Sequence, residues 1–340
     1  MAKYKKKKKK IGRLLFLLFI EMMVILFLFF KFGILGQINR NVEDDHKIVQ
    51  NPKIKKAKGY RNIVVFGIDS REHNNLDHGN SDTIIIVSVN NKTKDIKLAS
   101  IYRDTYSKIA DEKGNFTKIN AAYARGGYSL ALSTINKNFD MNITEYVTVN
   151  FDAVIHVVDE VGGLTLDITN EELKWLNIYI RELNKINGTK VSQIKTAGTK
   201  KVNGTQATAW ARIRHASGDD FKRTQRQRIV IGKIFDKVKT SDMLTVIALY
   251  KKMAPQISTN LEDGEMLSLA KDVFSYNIVD QTGFPFEKDA HKYNKISYVF
   301  PINLADNVIK LHGFLFNKVD YVPSNTVQEY SDYIESIRKQ

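Results

Sequence analysis

The 340-residue chain contains no cysteine. It therefore has no disulfide framework and no paired-thiolate zinc site, and it must fold on its apolar core alone. The seven histidines are scattered and never form His-Glu-x-x-His, which argues against a zinc hydrolase. Gly-x-Ser-x-Gly is absent, so an esterase elbow is unsupported. No Walker loop and no Gly-x-Gly-x-x-Gly appears, which argues against a nucleotide site. There is no internal repeat.

What is present first is an apolar run, LLFLLFIEMMVILFLFF at residues 14–30, set directly behind a lysine tail. With its flanks the run is long enough to cross a hydrocarbon core of roughly 30 Å as one helix. Residues 1–13 carry eight basic and no acidic side chains, so the net charge of +15 falls to +7 for the remainder. By the positive-inside bias the tail stays in the cytoplasm and the rest is exported. No small-x-small cleavage pattern follows, so residues 14–35 read as an uncleaved signal anchor rather than a signal peptide. The lysines suit anionic lipid, and nothing in the tail resembles a base-reading module, so membrane lipid and no nucleic acid are the expected contacts.

Residues 36–58 read as a polar linker and residues 59–340 as one extracytoplasmic domain, its motif-bearing core at 60–240. Asn62–Ile68, Thr83–Val89 and Ile96–Ile101 are short, apolar and β-branched, as buried strands are. Helical patterns follow at Tyr128–Phe139 behind Gly126-Gly127, at Ala153–Val161, and across 203–211, 224–238, 243–253 and 264–274. Residues 170–200 read as a mixed helical and polar insertion. This alternation predicts an α/β fold, a central sheet covered by helices on both faces, preceded by one transmembrane helix.

Polar groups cluster at strand ends, where open α/β sheets place their sites. Asp69 follows the first strand and Asp82 opens the second. If the strands are neighbours, the two carboxylates can converge on a hard cation; alternatively each simply caps a turn or a strand. Arg103 ends the third strand. Arg212 and Arg214 share a face if their segment is extended, and Arg223, Arg226 and Gln227 share a helix face at i, i+3, i+4. Arginines interleaved with Trp210, Ile213 and Phe221 suggest a partly buried anion site rather than a solvated surface. His215, beside them, is more often a structural hydrogen-bonder than a base.

Eight blocks in order then match a family: VFGIDSR (65–71), SDT (81–83), SIYRDT (100–105), KINAAY (118–123), GG (126–127), VGGL (161–164), ARIR (211–214) and DFKRTQRQ (220–227). As a set they resemble the LytR–CpsA–Psr family. The resemblance implies a phosphotransferase that moves an anionic glycopolymer, of teichoic acid or capsule type, from an undecaprenyl-pyrophosphate carrier to peptidoglycan. By position it implies Asp69 and Asp82 as ligands of magnesium, or of manganese in its place. It implies Arg103, Arg212, Arg214, Arg223 and Gln227 as pyrophosphate-binding groups, with Arg71 or Arg226 as further contacts. The family commonly has Arg where this chain has Asn80, and Pro where it has Tyr102.

In phosphoryl transfer the protein mainly positions groups and stabilises charge. Arg103 would offset charge on the leaving lipid phosphate, with Asp220 or Asp104 as general base. A polyprenyl groove is expected along helices such as Tyr128–Phe139 and Ala153–Val161. One rival is a hydrolase releasing the polymer to water. Another is a membrane-bound regulator, which would need a DNA-binding module that thirteen residues before the anchor cannot form.

Overall fold

In the computed structural model the chain divides into two compact units, Met1–Ile38 and Asn39–Gln340. The structure describes residues 48–49, 54, 57–68, 76, 79–214, 219–253, 256–318 and 320–340, all in the second unit. The expected anchor at 14–35, and Asp69, Arg71 and His215, lie outside the described residues. Among the described residues no helix is long and apolar enough to cross a membrane.

The strands are β1 (Tyr60–Ile68), β2 (Ser81–Asn90), β3 (Asp95–Ile101), β4 (Tyr106–Lys108), β5 (Phe116–Lys118), β6 (Glu145–Val149), β7 (Leu164–Ile168), β8 (Gly198–Val202), β9 (Ile257–Thr259), β10 (Asn277–Phe284), β11 (Lys288–Tyr293) and β12 (Ile296–Pro301). The helices are α1 (Ala121–Phe139), α2 (Phe151–Glu160), α3 (Asn170–Asn187), α4 (Gly204–Ala211), α5 (Asp219–Lys239), α6 (Met243–Met253), α7 (Asp263–Asp272), α8 (Leu304–Phe316) and α9 (Asn325–Arg338).

Six strands form the central sheet in the order β10-β3-β2-β1-β6-β9. The β1–β2 and β2–β3 pairs are antiparallel, whereas β1–β6 and β10–β3 are parallel. Side chains alternate between faces with period two. Val64, Phe66 and Ile68 of β1 and Ile84 and Ile86 of β2 enter one core, packed with Leu132 and Ile135 of α1, Leu311 of α8 and Ile334 of α9. Ile85, Val89 and Leu98 enter the opposite core, against Ile231 and Phe235 of α5 and Leu269 of α7. The sheet is thus covered on both faces, as the strand pattern implied. At roughly 1.5–3 kcal/mol for each fully buried aliphatic or aromatic side chain, these two cores supply the stability that cysteine cannot.

Several local expectations are refined. Gly126 and Gly127 interrupt α1: their φ/ψ values are −155°/29° and 59°/−157°, a break that suits glycine at 127, before the run from Tyr128 resumes. The insertion at 170–200 is not merely polar. Leu176, Ile180 and Leu183 of α3, on one helix face, seal against the β7–β8 hairpin and Trp210 in a third core. Strand β8, GTKKV, went unread because its side chains are largely exposed and carry no apolar alternation. The same holds for the edge strand β10. Helices α1 and α2, expected along one groove, feed different cores: Leu132 and Ile135 the first, Val158 the third.

Candidate active site

The C-terminal end of β1, the start of β2 and the end of β3 fall on one edge of the sheet, since Ile68 pairs with Ser81 and Ile85 with Ser100. Asp82 stands at that edge. Arg103 follows β3 in a tight turn, closed where Thr105 N–H and Oγ1 both donate to the Tyr102 carbonyl (2.9 and 2.6 Å). The turn's other carbonyls are also occupied: Arg103 O accepts from Asn120 N (3.2 Å) and Asp104 O from Val299 N (2.9 Å). These bonds pin the turn that carries Arg103. Tyr102 itself is buried, edge-on to Phe221 at 4.7 Å, with its hydroxyl so close to Gly283 that a Cβ there would meet it at 2.1 Å. Asn80, immediately before β2, is exposed.

Three arginines from separate elements converge on the Asp82 carboxylate. Arg103 Nη1 donates to Oδ1 at 2.6 Å, Arg214 Nη2 to Oδ2 at 2.8 Å, and Arg223 Nη1 lies 3.7 Å from Oδ2. Arg223 Nη2 also donates to the Asp82 backbone carbonyl at 3.1 Å. Asp220 lies 2.9 Å from Arg223 and 3.4 Å from Arg103, and Asp104 lies 3.9 Å from Arg103 while accepting Lys118 Nζ at 2.9 Å. Burial alone would raise the pKa of Asp82, but Arg103, Arg223 and Arg214 together hold it below the usual carboxylate value. For Asp220 burial wins, and its pKa is raised despite Arg223 and Arg103. Burial lowers Arg223 to about 10.

The cluster is not closed on itself. Among the described residues, Nε of Arg103, Nε of Arg223 and both carboxylate oxygens of Asp220 are buried without a hydrogen-bond partner. Unsatisfied buried polar groups in one cluster cost about 1–3 kcal/mol each and mark a site shaped for something else.

The other expected residues separate. Arg212 caps α4 in helical backbone (φ −89°, ψ −10°), so the extended geometry assumed for 212 and 214 does not hold. Its guanidinium lies 4.8 Å from the Phe151 ring and 5.6 Å from the Tyr179 ring. Arg226 is buried, with Nε donating to Glu172 Oε1 at 2.7 Å and Nη1 to the Ile213 carbonyl at 3.1 Å. Gln227 is half-buried on α5. Lys118 was missed, although it opens the KINAAY block and ends a short strand. A cavity of about 930 Å³ opens at the far end of β1, lined by Tyr60, Arg61, Glu145 and His312 among others; it does not include the arginine cluster.

The sequence model of the LytR_cpsA_psr family matches residues 32–310. The chain belongs to the LytR–CpsA–Psr family. It is 34% identical over 208 residues to Biofilm regulatory protein A of Streptococcus mutans, covering 59% of this chain and 48% of that protein. It is 30% identical over 253 residues to the polyisoprenyl-teichoic acid–peptidoglycan teichoic acid transferase TagV of Bacillus subtilis, covering 73% of this chain and 62% of TagV. The chain therefore spans about half to three-fifths of these curated relatives. Among solved structures it is similar to B. subtilis TagT bound to LI-WTA, with TM-score 0.61 and 25% identity, over 79% of this chain and 94% of that one.

A LytR–CpsA–Psr member with this cluster raises the question of a metal. Asp82 supplies hard oxygen donors and is held ionised, which suits a divalent cation. Arg103, Arg214, Arg223 and Lys118 face Asp82, Asp104 and Asp220, an excess of one positive charge, which suits an anionic ligand. Among the described residues no three His, Asp or Glu gather as a cation-binding group. The second expected donor, Asp69, lies outside them.

Proposed function

We propose that this protein is a membrane-anchored phosphotransferase that moves an anionic glycopolymer from a polyprenyl-pyrophosphate carrier to peptidoglycan. The observation that carries the reading is the convergence of three arginines on Asp82, with two guanidinium Nε atoms beside it that make no hydrogen bond. Similarity to a polyisoprenyl-teichoic acid–peptidoglycan transferase supports the substrate class. The basic tail and apolar run support a single-pass anchor at 14–35 with the domain outside the cell. An anchor of this kind holds the domain near a lipid-borne donor and raises its effective concentration.

Arg103, Arg214 and Arg223 bind the pyrophosphate oxygens, exchanging the Asp82 carboxylate for phosphate, which guanidinium forks match equally well. Asp82 and Asp69 would hold a divalent cation, which would supply charge neutralisation for the pyrophosphate. The acceptor hydroxyl oxygen bonds to the sugar-proximal phosphorus, and the bond from that phosphorus to the lipid-phosphate oxygen breaks. Polyprenyl phosphate leaves, with Arg103 offsetting its charge, and a phosphodiester joins polymer to glycan. Of the two candidate bases, Asp220 is favoured: burial raises its proton affinity and its ion pairs are with Arg223 and Arg103 of the cluster, whereas Asp104 is tied to Lys118.

The test uses the full chain in lipid nanodiscs with Mg²⁺, a polyprenyl-pyrophosphate oligosaccharide and uncrosslinked peptidoglycan strands, followed by mass spectrometry. A glycan–phosphate–peptidoglycan adduct, lost in Arg103→Ala, is expected. Phosphorylated glycan released without adduct would instead make the protein a hydrolase.

A further inference from the structure

A ribbon of β4 and β5 leads away from Asp104. Tyr106 pairs with Lys118 and Lys108 with Phe116, so these four side chains share one face. On that face Tyr106, Phe116 and Tyr333 of α9 form a column of rings. Tyr106 and Phe116 stack at 5.7 Å and 25°, and Phe116 and Tyr333 at 4.2 Å and 29°. The inner ring, Tyr106, is 5% exposed and the outer, Tyr333, 44%. The column therefore runs from the core to an open aromatic face. Tyr330 meets Phe116 edge-on at 5.7 Å, and Lys108 Nζ lies 5.0 Å from the Tyr330 ring centroid. Among the described residues Lys108 has no carboxylate partner. Lys118, two residues from Phe116 and about 7 Å along the strand, ends the ribbon on Asp104.

We propose that this column is the binding platform for the acceptor glycan strand, a reading that rests on the transferase function above. A pyranose ring presents a flat C–H face that extends an aromatic stack. A carboxylate on the strand would meet Lys108. The side of the cluster decides which glycan binds. Arg103 presents Nη1 to Asp82 and Nε toward Asp220 and Asp104. The ribbon joins at Asp104, on the Nε side of Arg103, where a base receives the acceptor's proton, and not at Asp82, which takes Arg103 Nη1 and Arg214.

The test is direct binding of soluble, uncrosslinked peptidoglycan glycan strands to the full chain by calorimetry without donor, together with separate KM values for donor and acceptor. Tyr333→Ala is expected to weaken glycan binding and raise the acceptor KM about tenfold, the scale of one lost aromatic stack. Donor KM should hold, Tyr333→Phe should restore binding, and Lys108→Ala should show a smaller loss. An unchanged glycan affinity in Tyr333→Ala, or a rise in donor KM instead, overturns the platform. If glycan binds the wild type and Tyr333→Ala weakens it while no adduct ever forms, the platform stands and the transferase reading falls. If adduct forms equally well in wild type and Tyr333→Ala, the platform alone falls.

Discussion

Helix α5 carries two buried arginines three residues apart whose surroundings differ in kind. Arg226 sits in a closed network: Glu172 takes its Nε, Ile213 its Nη1, and the Trp210 ring lies 5.8 Å from the guanidinium. Glu172 is itself held by Trp210 Nε1 at 3.1 Å and by a reciprocal cap with Thr169 at 3.0 and 3.2 Å. Arg223 sits in an open cluster with three elements converging, two carboxylates beside it and its Nε without a hydrogen bond. A satisfied polar network fastens elements together, here the third core to α5. An unsatisfied one is held by the fold around it and is available to a ligand. Hydrogen-bond completeness separates these two arginines more cleanly than burial does, because both are almost fully buried.

The largest expected effect comes from breaking the closed side. Arg226→Ala leaves Glu172 charged and buried, and should cost about 3–5 kcal/mol in urea unfolding. Next is the open side: Arg223→Ala should lower transfer by about a hundredfold, the scale of losing one charge-stabilising donor. Its unfolding free energy should change far less, since burial already opposes that charge. If the two variants lose stability equally, the distinction is wrong.

The smallest effect sharpens the comparison by pH. Burial raises the pKa of Glu172, but the Thr169 amide, Arg226 and Trp210 outweigh it and the pKa ends below its ordinary value of 4.5. A carboxylate with a depressed folded pKa stabilises fully above its unfolded value and loses that contribution as pH falls through the folded value. Melting between pH 7 and 3 should therefore show an acid-side loss that Glu172→Gln reduces.

Much of this was legible in the chain. Strand alternation announced a two-faced sheet, and a residue at a strand end lies at a sheet edge whatever its neighbours, so Asp82 and Arg103 were placed correctly. Two arguments from spacing did not survive. Residues 212 and 214 were read as extended, yet Arg212 ends a helix and turns to Phe151 and Tyr179. Residues 223 and 226 share a helix face in principle, but α5 touches two cores, and Arg223 reaches Asp82 and Asp220 while Arg226 reaches Glu172 and Ile213. The Thr169–Glu172 cap was readable as Thr-x-x-Glu before an apolar helix. Its second role, anchoring Arg226 from 54 positions away, was not.

The sequence by itself determined the apolar strands, most of the longer helices, the polar strand ends and the membrane-compatible N-terminus, because these follow from local periodicity and composition. Only the tertiary structure decided which arginines share Asp82, which one is spent inside the fold, and where aromatic rings stack outward from Asp104. Those choices depend on contacts between residues far apart in the chain, and on which polar groups are left unpaired once the cores have closed.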